Sequence, residues 1–160
     1  MTGLSVGSTI ILSSEPRGVF LGGIVSGTPK PGTCMTITTA EPVNERHTWE
    51  AFNRDADGNR ANWGVLLDDF IQGLDNDTAY VDGTHCQIYF PAKGESLLML
   101  VANIAGTGDA FAIGDYMIID DGTGKLIATT GSPEEEPFQV METVAALTAD
   151  TLVHCMYSGN

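Results

Sequence analysis

The strongest constraint on the fold of this chain is the spacing of its apolar runs. They are short, they alternate at period two, and Gly or Pro cuts each one before three helical turns could form. The run THCQIYFP (84–91) is the clearest: Cys86, Ile88 and Phe90 fall on one face, His85, Gln87 and Tyr89 on the other. Nineteen glycines and seven prolines punctuate the runs, which is the pattern of an all-β protein.

Strands are predicted over 18–27, 33–39, 63–70, 84–91, 96–102, 115–120, 125–130, 138–145 and 151–157. In the first, Gly22-Gly23 suggests a bulge or a close backbone approach. TPKPG (28–32) then turns the chain, since Pro presets φ and Gly supplies φ > 0. Met35 and Ile37 alternate with Thr36 and Thr38 in a half-buried strand. SLLMLVA (96–102) is continuously apolar, as expected of a strand buried on both faces. About nine short strands with turns between them read as a compact β-barrel or sandwich, with a β-tulip-like arrangement among the options. Residues 1–17 read as a flexible N-terminal arm, polar and small apart from Ile10, Ile11 and Leu12. Residues 18–160 form the β domain, with two small lobes split within 40–62 as the alternative. That segment lacks alternation, and a stretch of such length in a compact domain usually has work to do. A short helical turn is predicted around 47–53.

Seven basic residues stand against 21 acidic ones, a net charge of −14. Nucleic acid and anionic membranes both need a basic footprint, so neither is an expected partner. No apolar run approaches the ~20 residues that span a bilayer as a helix. The N-terminus lacks a basic region ahead of an apolar one, so no secretory signal is expected and the chain reads as made in the cytoplasm. Cys34, Cys86 and Cys155 are odd in number and widely spaced, which reads as free buried thiols.

Several motifs imitate chemistry. Gly122-Thr123-Gly124-Lys125 resembles the end of a phosphate-cradling loop, but the required earlier glycine falls on Ile119 and the required hydroxyl on Leu126. KLIATT has a strand pattern where that loop needs a helix, so DGTG reads as a hairpin turn with Lys125 facing water. NRDADGN (53–59) places Asn53, Asp55 and Asp57 as in a calcium loop, yet its twelfth position is Gly64 where a bidentate Glu is needed. An Asx-rich turn is the better reading. His85-Cys86 and His154-Cys155 each point to opposite faces of a strand, and a joint site from Cys86 and Cys155 would require their strands to pair. No metal site, cofactor or catalytic constellation is expected.

In order, four elements resemble the head decoration (capsid cement) proteins of tailed bacteriophages. They are WGVLLDDFIQGLDNDTAYVDGTHCQIYFPAKGESLLMLVA, with its Asp-x-x-Ala-Tyr turn and P-x-x-G-(D/E) corner; the hairpin AIGDYMIIDDGTGKLIATT; VMETVAAL; and TLVHCMY. FLGGIVSGTPKPGT fits the early strand and turn, so the resemblance spans roughly 18–157; the turn in DDGTGKL carries extra residues, and 40–62 does not align. The resemblance implies a non-enzymatic structural protein on the outer surface of an expanded capsid. It would bridge neighbouring major capsid subunits, as a homotrimer, in the virion. A mobile N-terminal segment that orders on the shell is also implied. Thr9, Ile10, Ile11 and Leu12 suit that role by adding a strand to a capsid sheet edge. Trp49 and Phe52 are expected at an inter-subunit interface, with packing of Trp49 beneath its own loop equally consistent. The rival readings are another β-rich virion protein (tail tube or head completion) and a carbohydrate-binding β-sandwich stacking sugars on Trp49, Trp63 and Tyr80.

Overall fold

The computed structural model describes residues 10–13, 15–38, 42, 45–53, 62–69, 75–103, 110–128 and 138–159. All regular elements among them are strands: β1 (Val19–Val25), β2 (Cys34–Ile37), β3 (Thr48–Ala51), β4 (Trp63–Leu66), β5 (His85–Phe90), β6 (Ser96–Val101), β7 (Tyr116–Ile119), β8 (Leu126–Ala128), β9 (Phe138–Val140) and β10 (Thr151–Tyr157). The fold is therefore all-β, as the alternation indicates. All nine predicted strands are present, with shorter bounds for most. The tenth is β3, which replaces the helical turn predicted around 47–53. Four residues are too few to display a period, and only the pairing of β3 with β1 and β2 reveals it as a strand.

The ten strands close into two five-stranded barrels, β1-β3-β2-β4-β5 and β10-β6-β8-β7-β9. The second repeats the first strand for strand. As β1 runs parallel to β3 and antiparallel to β5, so β6 runs parallel to β8 and antiparallel to β10. As β2 lies between β3 and β4, so β7 lies between β8 and β9. The barrels part at 91–95, not within 40–62, because β3 belongs to the first barrel.

Alternation fills each interior. Val25, Met35, Trp49, Leu66, Tyr80, Cys86 and Ile88 form the core of the first barrel. The larger cluster holds Leu97, Met99, Val101, Met117 and Val153 of the second barrel. It also takes in Cys34, Phe52, Val65, Leu67 and Tyr89 of the first, so one apolar core continues across the junction. Each buried side chain of Leu size contributes roughly 1.5–3 kcal/mol, which makes this shared core the main tie between the barrels.

Candidate functional site

The hairpin between β7 and β8 holds the Gly-Thr-Gly-Lys stretch, in register from Met117↔Ala128 to Ile119↔Leu126. The Gly124 amide donates to the Asp120 carbonyl at 3.0 Å, closing the turn. Gly122 and Gly124 have φ of +88° and +67°, which glycine adopts without steric cost. Gly124 is also where the barrels meet. A Cβ there would lie 2.2 Å from the Cys34 carbonyl oxygen. The Cys34 amide donates to the Gly124 carbonyl at 2.8 Å, and the Gly122 amide to the Phe52 carbonyl at 2.8 Å. The glycines thus let a turn of one barrel dock on the backbone of the other. Lys125 does not simply face water: its Nζ lies 2.6 Å from Asp150 Oδ2. Burial alone would raise the Asp150 pKa, but bonds from Lys125 and the Asn103 amide hold it below the ordinary value. An open cleft of about 390 Å³ runs along this junction beside Lys30, Thr33, Gly122, Lys125 and Asp150. Lys30 faces it paired to Asp77 at 2.7 Å.

The arm residues are placed differently from expectation. Ile10 is wholly buried in the shared core, so it is not a surface side chain. Ile11 bridges Leu97 of β6 in antiparallel sense. The Leu98 amide donates to the Ile10 carbonyl at 2.7 Å, and the Leu12 amide to the Ser96 carbonyl at 2.9 Å. Residues 10–12 therefore add a strand to this chain's own second barrel. The apolar triplet has a nearer sheet edge than any partner's. Leu12 alone of the three remains largely exposed; Thr9 lies outside the described residues.

Glu95, in the corner between the barrels, fastens the segment that follows. It is 2% exposed. Its Oε2 accepts from the Tyr89 hydroxyl and the Ala92 amide, both at 2.6 Å, and its Oε1 from the Arg17 amide. The Tyr89 oxygen in turn accepts from the Gly18 amide at 2.9 Å. Burial pushes the Glu95 carboxyl up, but the bonds from Arg17, Tyr89 and Ala92 prevail and hold it below its ordinary range. Sequence reasoning missed this group; the only hint was its place at the end of the P-x-x-G-E corner.

The aromatic expectations also change. Trp49 is 1% and Phe52 4% exposed, so neither presents a ring to a neighbouring subunit. Trp49 packs edge-on to Phe90 and against Gly23, where a Cβ would lie 2.3 Å from the indole Nε1. The close approach expected at Gly22-Gly23 is at Gly23, to the Trp49 ring and to the His47 backbone carbonyl, which a Cβ would meet at 2.8 Å. Tyr80 is buried too, its hydroxyl donating to the Leu67 carbonyl at 2.7 Å. Trp63 is half-buried against Phe138 and Tyr157. These residues do not make the exposed platform a sugar would need.

All three cysteines are free and buried. Burial pushes Cys86 and Cys155 up to about 12, with Glu142 adding to the effect at Cys155. Burial, then nearby Cys155, raises Cys34 well above the ordinary value. Thiols of this kind are poor nucleophiles and poor ligands. Cys86 and Cys155 sit on β5 and β10, in separate barrels, so the joint site does not arise. No three His, Cys, Asp or Glu among the described residues gather as a metal site. Asp55 and Asp57 lie outside the described residues.

Neither a family model nor a curated protein matches the sequence. The fold does have solved counterparts. It is similar to the crystal structure of the head fiber gp8.5 N base in bacteriophage phi29, with a TM-score of 0.53 and 10% identity over 88% of this chain and 94% of that one. At that identity the likeness is one of fold.

Proposed function

We propose that this chain is a structural protein of a tailed-phage head, of the cement type. The observation that carries this reading is the fold likeness over 88% of the chain to a phage head fiber base. It agrees in kind with the decoration-protein resemblance of the strand and turn sequence. The chain binds the outer surface of the expanded shell, bridges major capsid subunits, and does so as a homotrimer, with no catalysis. Two barrels fused through one core make a stiff clamp. Three such clamps joined together would turn modest contacts into firm binding through effective concentration. A net charge of −14 keeps the decorated surface from non-specific association. Because Ile10 belongs to the core, the exposed apolar side chains Leu12, Val19, Phe20 and Leu21 are the better candidates for contact with the shell.

The test is to titrate purified protein into undecorated expanded heads of its own phage. Saturation at a fixed number of copies per head, in multiples of three at each three-fold position, is expected. Failure of the intact chain to bind refutes the reading. Light scattering on the free protein separates a preformed trimer from one assembled on the shell.

A further inference from the structure

The repeated topology allows one barrel to be compared with the other. Val25 donates to the Thr84 carbonyl just ahead of β5, and Val101 stands opposite Thr151 at the start of β10. On this alignment Leu21 corresponds to Leu97, and Phe20 and Gly22 correspond to Ser96 and Leu98. Leu97 is fully buried, whereas Leu21 is 44% exposed and its neighbour on the same face, Val19, is 59% exposed. Both lie on the interior face of β1, opposite Ile88 and Phe90. Further along the same face Gly23 and Val25 are buried.

The difference lies in what flanks each strand. The parallel neighbour reaches only the last residues of either: Ile24 and Val25 pair with β3, and Val101 with β8. In the second barrel the remaining gap is filled by residues 10–12, antiparallel to β6. In the first barrel no strand among the described residues pairs with 19–22 on the side away from β5. The Ile24 amide points to that side, donating to the His47 carbonyl at 3.0 Å. By the alternation of an antiparallel ladder, Phe20 and Gly22 present their amides and carbonyls the same way. A Cβ on Gly22 would meet nothing within 4 Å.

We propose that this flank of the first barrel is a slot for an extended segment of a partner protein. The segment enters antiparallel to β1 and lays an apolar triplet over Val19 and Leu21, as residues 10–12 do over Leu97. Charge sets its polarity. The chain repels carboxylates over most of its surface, but exposed Arg17 and Lys93 stand together at the start of β1, the Arg17 guanidinium donating to the Lys93 carbonyl at 3.1 Å. At the other end, Asp69 shares a pocket with Arg46, His85 and Gly22, so charges of both signs stand there and neither is selected. An antiparallel segment brings its C-terminal side to Arg17, so the partner carries an acidic residue just after its apolar triplet. This proposal does not depend on the virion reading.

The test uses the whole ¹⁵N-labelled chain and a capped peptide, Ser-Thr-Ile-Ile-Leu-Ser-Ser-Glu, which copies residues 8–15. Saturable shifts of the Phe20 and Gly22 amides are expected. Replacing the peptide's Glu by Lys should weaken binding about twofold, and Pro at its Leu, whose counterpart Leu12 donates its amide to β6, should abolish it. Leu21→Lys in the protein should weaken binding at least about tenfold while leaving thermal unfolding nearly unchanged, because the side chain is already exposed. Three results would overturn the proposal. One is an absence of shifts at millimolar peptide, or shifts confined to β6. Another is slow hydrogen exchange at Phe20 and Gly22 in the free monomer, which would mean that the chain fills its own slot. The third is concentration-dependent shifts of β1 without peptide, which would assign the slot to a second copy.

Discussion

Replacing Ile10 by Ala tests whether the start of the chain is a free arm or part of the core. Ile10 is 0% exposed and sits in the cluster with Leu97, Phe138 and Val153. Truncation removes three carbons from a site that the carbonyl-to-Leu98 bond prevents from drifting away. Buried Ile→Ala changes cost about 2–5 kcal/mol, the upper end where the cavity cannot collapse. Ile10 is at a chain end, which allows some relaxation, so about 3 kcal/mol is expected. Against a total stability of about 5–15 kcal/mol, that is a large lowering of the urea midpoint at constant m-value. Leu12→Ala is the internal control: at 43% exposure it should lose less than about 1 kcal/mol. If Ile10→Ala proves as mild as Leu12→Ala, the docking of residues 10–12 on β6 is wrong and the free-arm reading returns.

Gly124→Ala should destabilise by more than about 4 kcal/mol, because its Cβ meets the Cys34 carbonyl at 2.2 Å and its φ is positive; Gly122→Ala, with open space around it, should cost only about 1–2 kcal/mol for the positive φ. A midpoint shift at Gly124 no larger than that at Gly122 would refute the close junction. Glu95 has a folded pKa below its unfolded one, so its contribution is fully present above the unfolded value of ~4.3 and is lost as pH falls through the lower folded value. Glu95→Gln should therefore lower stability at neutral pH and flatten the acid limb of a plot of urea midpoint against pH; an unchanged acid limb would count against the network. The three buried thiols should resist a thiol reagent in the native protein and all react in denaturant, and fast native labelling at Cys34 would show the junction to be open.

Much of the local structure is legible in the sequence because alternation is a local property. The face that Cys86, Ile88 and Phe90 share follows from period two, and the hairpin at 120–125 follows from two glycines and the absence of a helix beyond them. The failure of Gly-Thr-Gly-Lys as a phosphate loop is likewise decided by Ile119 and Leu126 alone. Period two, however, states which face is apolar and not which strand lies alongside. Pairing joins residues far apart, such as Val19 with Phe90 and Ile11 with Leu97, and no short window contains both partners. For that reason only the tertiary structure decides that residues 10–12 complete a barrel of their own chain, that Trp49 and Phe52 face inward, and that Glu95 is buried among donors. The same holds for the open flank of β1. Leu21 and Leu97 are both leucines in strands, and whether each is covered depends on a third strand that the local sequence does not encode.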